Sequence, residues 1–258
     1  MKSMASISRR NCLNLIAGAG AAGAVAAASS GRERRPIRAV AFDAFPILDP
    51  RPIFALAEDL FPGHGRALGD AWKTRQFEYQ WLRALAGRYA DFRQATEDAL
   101  IYAAASLKLD MTAEKRERLM AAYLELRAWP DAPPTLARLK EAGIRLAFLS
   151  NATPAILEAG IANSGLAGVF EHVLSTDRIR TYKPDPRAYR MATDAFGLRT
   201  EEVAFAAFAG WDAAGAAWFG FPTYWANRLG APVEELGVRP HAEGRDLSGL
   251  AEFVLGRG

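Results

Sequence analysis

The sequence predicts an α/β fold: a Rossmann-like parallel-sheet core with helices on both faces, plus an inserted helical cap domain. Three observations lead there. From residue 133 onward, short apolar runs alternate with segments of helical period, the pattern of repeated βα units. A first apolar run, Ile37 to Phe42, stands apart from these, separated by a long stretch of purely helical texture. Several of the runs end on a polar residue, at the position where open parallel sheets bind their ligands.

Taken in order, Ile37-Arg38-Ala39-Val40-Ala41-Phe42 reads as a strand buried on both faces, with Asp43 at its carboxyl end. Pro46 cannot continue a central strand, so the strand stops close to Asp43. Pro50 and Pro52 then mark a change of texture. Residues 53–60 and 66–86 place Leu68, Trp72, Tyr79, Leu82 and Leu85 at helical spacing. Residues 93–107 and 112–127 continue with Leu100, Ala103, Ala104 and Leu107, then Leu119, Tyr123 and Leu126. The predicted domain limits are a signal peptide at 1–30, a core of 31–51 with 129–258, and a cap of 52–128.

Pro133-Pro134 opens the returning core ahead of a helix at 135–142, which Gly143 stops. Ile144 to Leu149 is a buried strand ending at Ser150-Asn151. A helix at 154–163 and a short strand from His172 to Ser175 follow. Beyond the Lys183-Pro184-Asp185 turn comes a helix from Pro186 to Phe196. Val203 to Ala209 is a strand ending before Trp211-Asp212, and residues 213–219 form a helix of small residues. Thr223 to Ala226 is the last clear strand and Leu247 to Leu255 the last helix. Such units imply right-handed crossovers, which collect the polar strand ends on one edge.

Composition excludes several chemistries. Half of the 258 residues are hydrophobic, enough for a substantial core. The only cysteine is Cys12, and His64, His172 and His241 show no ligand-like spacing. Disulfides, a cysteine nucleophile and a Cys/His metal site are therefore not expected. Lys2 and Arg9-Arg10 precede an uncharged Ala/Gly-rich stretch from Asn11 to Ser30. Ser8-Arg9-Arg10-Asn11-Cys12-Leu13-Asn14 resembles a bacterial twin-arginine export signal, which implies a periplasmic protein with no stable membrane anchor after cleavage. Removing residues 1–28 lowers the formal charge from +3 to 0, so the basic balance is no sign of nucleic-acid binding.

Four strand ends carry Asp43, Ser150-Asn151, Lys183 and Asp212. Singly, each reads as a helix cap, a turn residue or a solvated lysine. Together they form a constellation. It resembles the haloacid dehalogenase superfamily, and more closely its type II 2-haloacid dehalogenase branch. The resemblance runs through Trp72 to Tyr79 and Trp81 to Leu85 in the insert, Leu149-Ser150-Asn151, Tyr182-Lys183-Pro184-Asp185 through Tyr189, Trp211 to Ala216, and Phe219 to Thr223 with Asn227-Arg228.

By that resemblance, Asp43 is the nucleophile that displaces halide from a short (S)-2-haloalkanoic acid and forms an ester. Lys183 holds its carboxylate, and Asp212 activates the water that hydrolyses the ester. Phe45, Lys73, Ser150, Asn151, Tyr189 and Trp211 bind substrate, with Phe77 and Phe92 as further pocket walls. No cofactor or metal is implied. Phosphatases of the superfamily carry a second aspartate where Phe45 stands. They also gather acids near the fourth motif, whereas Asp212 is the only acid between Glu202 and Glu234, too few oxygens for a hard cation. The partner expected is a small halogenated carboxylic acid, and a homodimer is the candidate assembly.

Five positions depart from the branch. Pro46-Ile47 replaces Gly-Thr, Lys73 replaces the arginine that meets the halide, and Ala207 and Ala209 replace a serine and an asparagine. Lysine keeps the charge but loses the planar fork. These losses leave two alternatives open: a same-fold hydrolase of another small substrate, or a weakly active or inactive exported relative with a binding role.

Overall fold

Strand β1 (Ala39–Phe42) is buried at every residue. Val40 and Phe42 enter one apolar cluster while Ala39 and Ala41 enter another, the alternation of a strand covered on both faces. The computed structural model describes residues 35–257, all within one compact unit. The twin-arginine signal read at residues 1–30 lies outside the described residues.

Strands β2 (Arg145–Ser150), β3 (His172–Ser175), β4 (Val203–Ala207), β5 (Thr223–Ala226) and β6 (Ala242–Gly244) complete a six-stranded sheet. Its order is β3-β2-β1-β4-β5-β6, with every pair parallel. The chain runs outward from β1 through β2 to β3, then restarts on the other side at β4. The sheet therefore has its switch point beside Asp43, where a crevice opens between diverging connections. Asp43 N–H donates to Ala206 O at 3.0 Å, extending the β1–β4 ladder by one residue.

Helices α8 (Pro186–Phe196) and α9 (Gly210–Phe219) cover one face through Tyr189, Ala192, Phe196, Ala213 and Ala216. Helices α6 (Ala132–Glu141), α7 (Pro154–Asn163) and α10 (Leu250–Leu255) cover the other through Leu136, Leu139, Leu157, Leu250 and Val254. The insertion contains α2 (Arg51–Leu60), α3 (Gly65–Leu85), α4 (Phe92–Ser106) and α5 (Ala113–Ala121). Asp91 and Thr112 cap α4 and α5 by accepting from Gln94 N–H (2.8 Å) and Lys115 N–H (3.2 Å). Gly69 lets α3 lie against α2, since a Cβ there would meet Phe54 Cδ1 at 2.7 Å. Trp72 Nε1 donates to Thr96 O (2.8 Å), tying α3 to α4 inside the cap.

Three details differ from the sequence reading. The sheet has a sixth strand: β6 is three residues long, half-exposed and interrupted by Glu243, so it carries no apolar run to detect. It is held by Asn227, whose N–H donates to Gly244 O and whose Nδ2 donates to Glu243 Oε1 (2.7 Å). Strand β4 stops at Ala207 and α9 already begins at Gly210, so Trp211 and Asp212 sit in a helical turn rather than a loop. Helix α5 ends at Ala121 in a 3-10 turn, and the chain rejoins the core through an antiparallel bridge between Leu48 and Ala128. Among the described residues, no helix is long and apolar enough to cross a membrane.

Candidate active site

Asp43 leaves β1 and caps a single helical turn, α1 (Ala44–Ile47), by accepting Phe45 N–H on Oδ2 at 3.3 Å. Pro46 fits there because a first helical turn has no use for its missing N–H. So short a helix makes one bond of its own, Leu48 N–H to Ala44 O, and leaves its other carbonyls without helical partners. Distant residues supply them: Trp129 Nε1 takes Phe45 O (3.0 Å), Arg228 takes Pro46 O (2.6 Å), and Trp129 N–H takes Ile47 O (2.8 Å). Arg228 is itself fixed by Asp131 (2.9 and 2.8 Å) and lies 4.3 Å from the Trp129 ring centre, as does Arg51. The turn after Asp43 is thus clamped through its backbone, with Ile47 buried beneath it.

Lys183 arrives from the connection between β3 and α8, where Asp185 caps α8 by accepting Arg187 N–H (2.8 Å). Its own N–H donates to Asn151 Oδ1 (2.9 Å) at the end of β2. Lys183 Nζ then reaches two carboxylates, Asp43 Oδ1 at 2.9 Å and Asp212 Oδ2 at 2.6 Å. Ser150 Oγ donates to Asp43 Oδ1 (3.1 Å) while accepting Ala152 N–H (3.3 Å). Asp212, in the first turn of α9, accepts the Tyr189 hydroxyl on Oδ1 at 2.7 Å. Lys183 and Asp212 are each only 1% exposed and Asp43 8%.

One ammonium stands between two buried carboxylates. Burial raises the Asp212 pKa; Lys183 pulls it down and Asp43 pushes it back, for a net rise to about 6. For Lys183, burial opposes the charged form, but Asp212 and Asp43 overcome it and the pKa ends above its ordinary value. Burial, then the Asp212 charge, raises the Tyr189 phenol well above its usual range, so it stays a donor.

The cap closes over this centre. Trp81 Nε1 donates to Lys183 O (3.1 Å), and Asn151 Nδ2 donates to Gln80 Oε1 (3.2 Å). Phe77 and Trp81 each meet the Trp211 ring edge-on, at 5.2 and 5.3 Å. Phe45, Lys73, Phe77, Trp129 and Phe208 line a largely apolar cavity of about 110 Å³, with Lys73 exposed at its rim.

The structure thus brings Asp43, Ser150, Asn151, Lys183, Tyr189 and Asp212 into one bonded network. It places Phe45, Lys73 and Phe77 on the neighbouring cavity, and Trp211 on the cap seam. Phe92 is turned elsewhere: it packs 5.8 Å from the Tyr123 ring and lines a separate hollow with Thr153 and Ile156. Ala207 and Ala209 bring no side-chain bond; Ala209 is the N-cap of α9 and leaves it uncapped. Gln80, Trp81 and Trp129 were not singled out from the sequence. Gln80 and Trp81 could have been, because they continue the Lys73, Phe77 face of α3 at helical spacing.

A parallel α/β sheet with a carboxylate–ammonium–carboxylate centre at its switch point, under a helical lid, defines a hydrolase with a buried acid as its reactive group. The chain belongs to the haloacid dehalogenase-like hydrolase family, whose profile matches residues 26–220. It is 42% identical over 218 residues to the (S)-2-haloacid dehalogenase of Pseudomonas sp. (strain YL), spanning 84% of this chain and 94% of that protein. A crystallised L-2-haloacid dehalogenase overlays with a TM-score of 0.83 at 44% identity, covering 85% of this chain and 99% of its own. The L-2-haloacid dehalogenase from Xanthobacter autotrophicus, solved with chloropropionic acid covalently bound, gives a TM-score of 0.79 at 33% identity, with coverages of 86% and 100%.

Proposed function

We propose that the protein hydrolyses the carbon–halogen bond of short (S)-2-haloalkanoic acids through an ester on Asp43. The observation that carries this reading is Lys183 Nζ lying between Asp43 and Asp212, in a chain so similar to 2-haloacid dehalogenases. Asp43 Oδ1 is engaged by Lys183 and Ser150, whereas Oδ2 accepts only the longer bond from Phe45 N–H. Oδ2 is therefore the attacking oxygen. It forms a bond to carbon 2 as the halide leaves with the bonding pair from the opposite side, inverting the carbon. Asp212 then takes a proton from a water whose oxygen attacks Asp43 Cγ. The ester C–O bond breaks at Cγ, the 2-hydroxy acid departs with the former Asp43 oxygen and takes the proton from Asp212, and the second water proton leaves Asp43 to solvent, restoring the carboxylate.

In this scheme Ser150 orients the nucleophile, Asn151 positions the cap side of the substrate, and Phe45, Phe77 and Trp211 exclude water. Lys73 supplies positive charge at the cavity rim, and Tyr189 fixes Asp212. Halide release from 2-chloropropionate, present in the native protein and lost in Asp43→Asn, is the expected result. No release from the native protein would favour the same-fold hydrolase of another substrate, for which the bare Ala207 and Ala209 positions speak.

Export by the twin-arginine route to the periplasm is part of the same proposal, supported by Arg9-Arg10 ahead of the uncharged Ala/Gly stretch. Replacing both arginines by lysine should keep the precursor in the cytoplasm. A homodimer is the proposed assembly, supported by the exposed apolar side chains Leu85 and Trp218 beside the cap–core seam. Sedimentation as a monomer at working concentration would end that part.

A further inference from the structure

Lys183 sits in the segment that joins β3 to α8, and the cap holds that segment at both ends. At its start is a 3-10 turn (Thr176–Ile179). There Asp177 Oδ1 accepts the hydroxyl of Tyr89 at 2.8 Å, and Tyr89 lies in the cap loop between α3 and α4. At its end the Tyr182 hydroxyl donates back to Ala90 O in the same loop (2.5 Å), and Trp81 Nε1 donates to Lys183 O (3.1 Å). The Tyr89 ring also lies 5.2 Å from the Tyr182 ring and 5.1 Å from the Arg180 guanidinium. Arg180 has a φ of +51°, a left-handed conformation that a side chain other than glycine keeps only where its surroundings fix it. Tyr89 is thus a cap side chain that meets residues 177, 180 and 182 of one core segment. Burial and the bond to Asp177 hold its phenol well above the usual range, so it stays a donor.

From the core, Asn151 Oδ1 ties the same segment by accepting Thr176 Oγ1 (3.3 Å) and Lys183 N–H (2.9 Å). Lys183 Nζ must reach Asp43 Oδ1 at 2.9 Å and Asp212 Oδ2 at 2.6 Å together, so a small displacement of the segment disturbs both bonds. We propose that Tyr89 is a positioning residue for the reaction at Asp43. Its bond to Asp177 fixes the segment that carries Lys183, so the docked cap sets the ammonium between the two carboxylates. This assignment rests on the dehalogenase reading and adds to it a residue outside the bonded centre.

The test compares three variants of the full chain. Tyr89→Phe keeps the ring beside Tyr182 and Arg180 and removes only the hydroxyl. Asp177→Ala breaks the same bond from the core side, so either variant serves if the other fails to fold by thermal melting. Asp177→Asn still offers an acceptor. In steady-state halide release from 2-chloropropionate, the first two should lower kcat by roughly 10-fold, within the loss that a misplacement of about 1 Å can cause. KM should stay nearly unchanged, and Asp177→Asn should recover most of the loss. A bond that only stabilised the cap would lower Tm or raise KM and leave kcat alone.

A second readout needs no turnover. Asp212 faces Lys183 from the segment, Asp43 from the end of β1 and Tyr189 from α8. Burial raises its pKa and Lys183 lowers it, so a lysine set back from it should let the Asp212 titration climb above about 6. The titration is followed by ¹³C NMR in protein labelled at aspartate Cγ, with the Asp212 signal identified by its absence from Asp212→Asn. It should move up in Tyr89→Phe and Asp177→Ala and return in Asp177→Asn. With halide release present, an effect on one readout alone, on neither, or one that Asp177→Asn fails to recover removes Tyr89 and leaves the dehalogenase reading. With no halide release, a shifted titration removes the dehalogenase reading and keeps Tyr89 as the anchor of Lys183, and an unshifted one removes both.

Discussion

The Tyr189 hydroxyl donates to Asp212 Oδ1 at 2.7 Å, leaving Oδ2 to Lys183. The second carboxylate is therefore pinned from two elements, α8 and the loop before it, while its own backbone is held in α9. That contact depends on Gly215: a Cβ there would lie 2.4 Å from the Tyr189 hydroxyl and 2.8 Å from Pro184 Cβ. Gly215→Ala must push Tyr189 away from Asp212 or displace the Lys183-Pro184 segment. Turnover should drop by roughly 10- to 100-fold, on the scale of losing one oriented donor. Tyr189→Phe, which removes only the hydroxyl, should reproduce part of the loss in steady-state kcat. Native turnover in both variants would contradict the role given to this bond.

Asp212 sets the acid side of the pH profile. Its pKa is raised to about 6, so below that pH it holds a proton and cannot take one from water. Turnover should rise with pH through about 6. Lys183, held above its ordinary value, adds no alkaline limb below that value. The stability contribution runs the other way: a raised carboxylate pKa favours the folded state below the unfolded pKa and loses that advantage as pH climbs through the folded one. A kcat profile falling from pH 5 to 7 would reverse the assignment.

Chelation should leave activity intact. The Lys183 ammonium already occupies the space between Asp43 and Asp212, where a metal-dependent relative would need further oxygens. Assays in excess EDTA, with and without added Mg²⁺, check this, and loss restored by Mg²⁺ would contradict it.

Ala209 is an N-cap residue without a capping side chain. Ala209→Asn should add about 1 kcal/mol of stability, or roughly 2–4 °C in Tm for a domain of this size. It should also speed ester hydrolysis more than ester formation, since it restores a hydrogen-bonding group one helical turn from Asp212. Stopped-flow halide release would show a smaller burst and a faster steady phase than the native protein.

How much of this was legible in the sequence follows from how local each feature is. β1 announces itself because a run with four consecutive apolar residues, Ala39 to Phe42, leads to one acid, and Lys183 and Asp212 are read in the same way from the ends of βα units. β6 announces nothing, because an edge strand of three residues without an apolar run is held by its backbone ladder to β5 and by Asn227. The five positions that depart from the dehalogenase branch are visible as substitutions, but what surrounds them is not. Ile47 ends a turn whose carbonyls are met by Trp129 and Arg228, 84 and 182 residues from the carbonyls they bond. Likewise the helical period shows that α3 has an inward face, yet only the packed cap shows that Gln80 meets Asn151 there.

Covalent attack by Asp43 is the central claim, and a single turnover in ¹⁸O-labelled water tests it most directly. With enzyme in excess over 2-chloropropionate, the 2-hydroxy acid should carry the ordinary oxygen of Asp43, and one heavy oxygen should appear in the peptide containing Asp43. Heavy oxygen in the first product molecules, with none in Asp43, would mean direct attack by water and would contradict the ester.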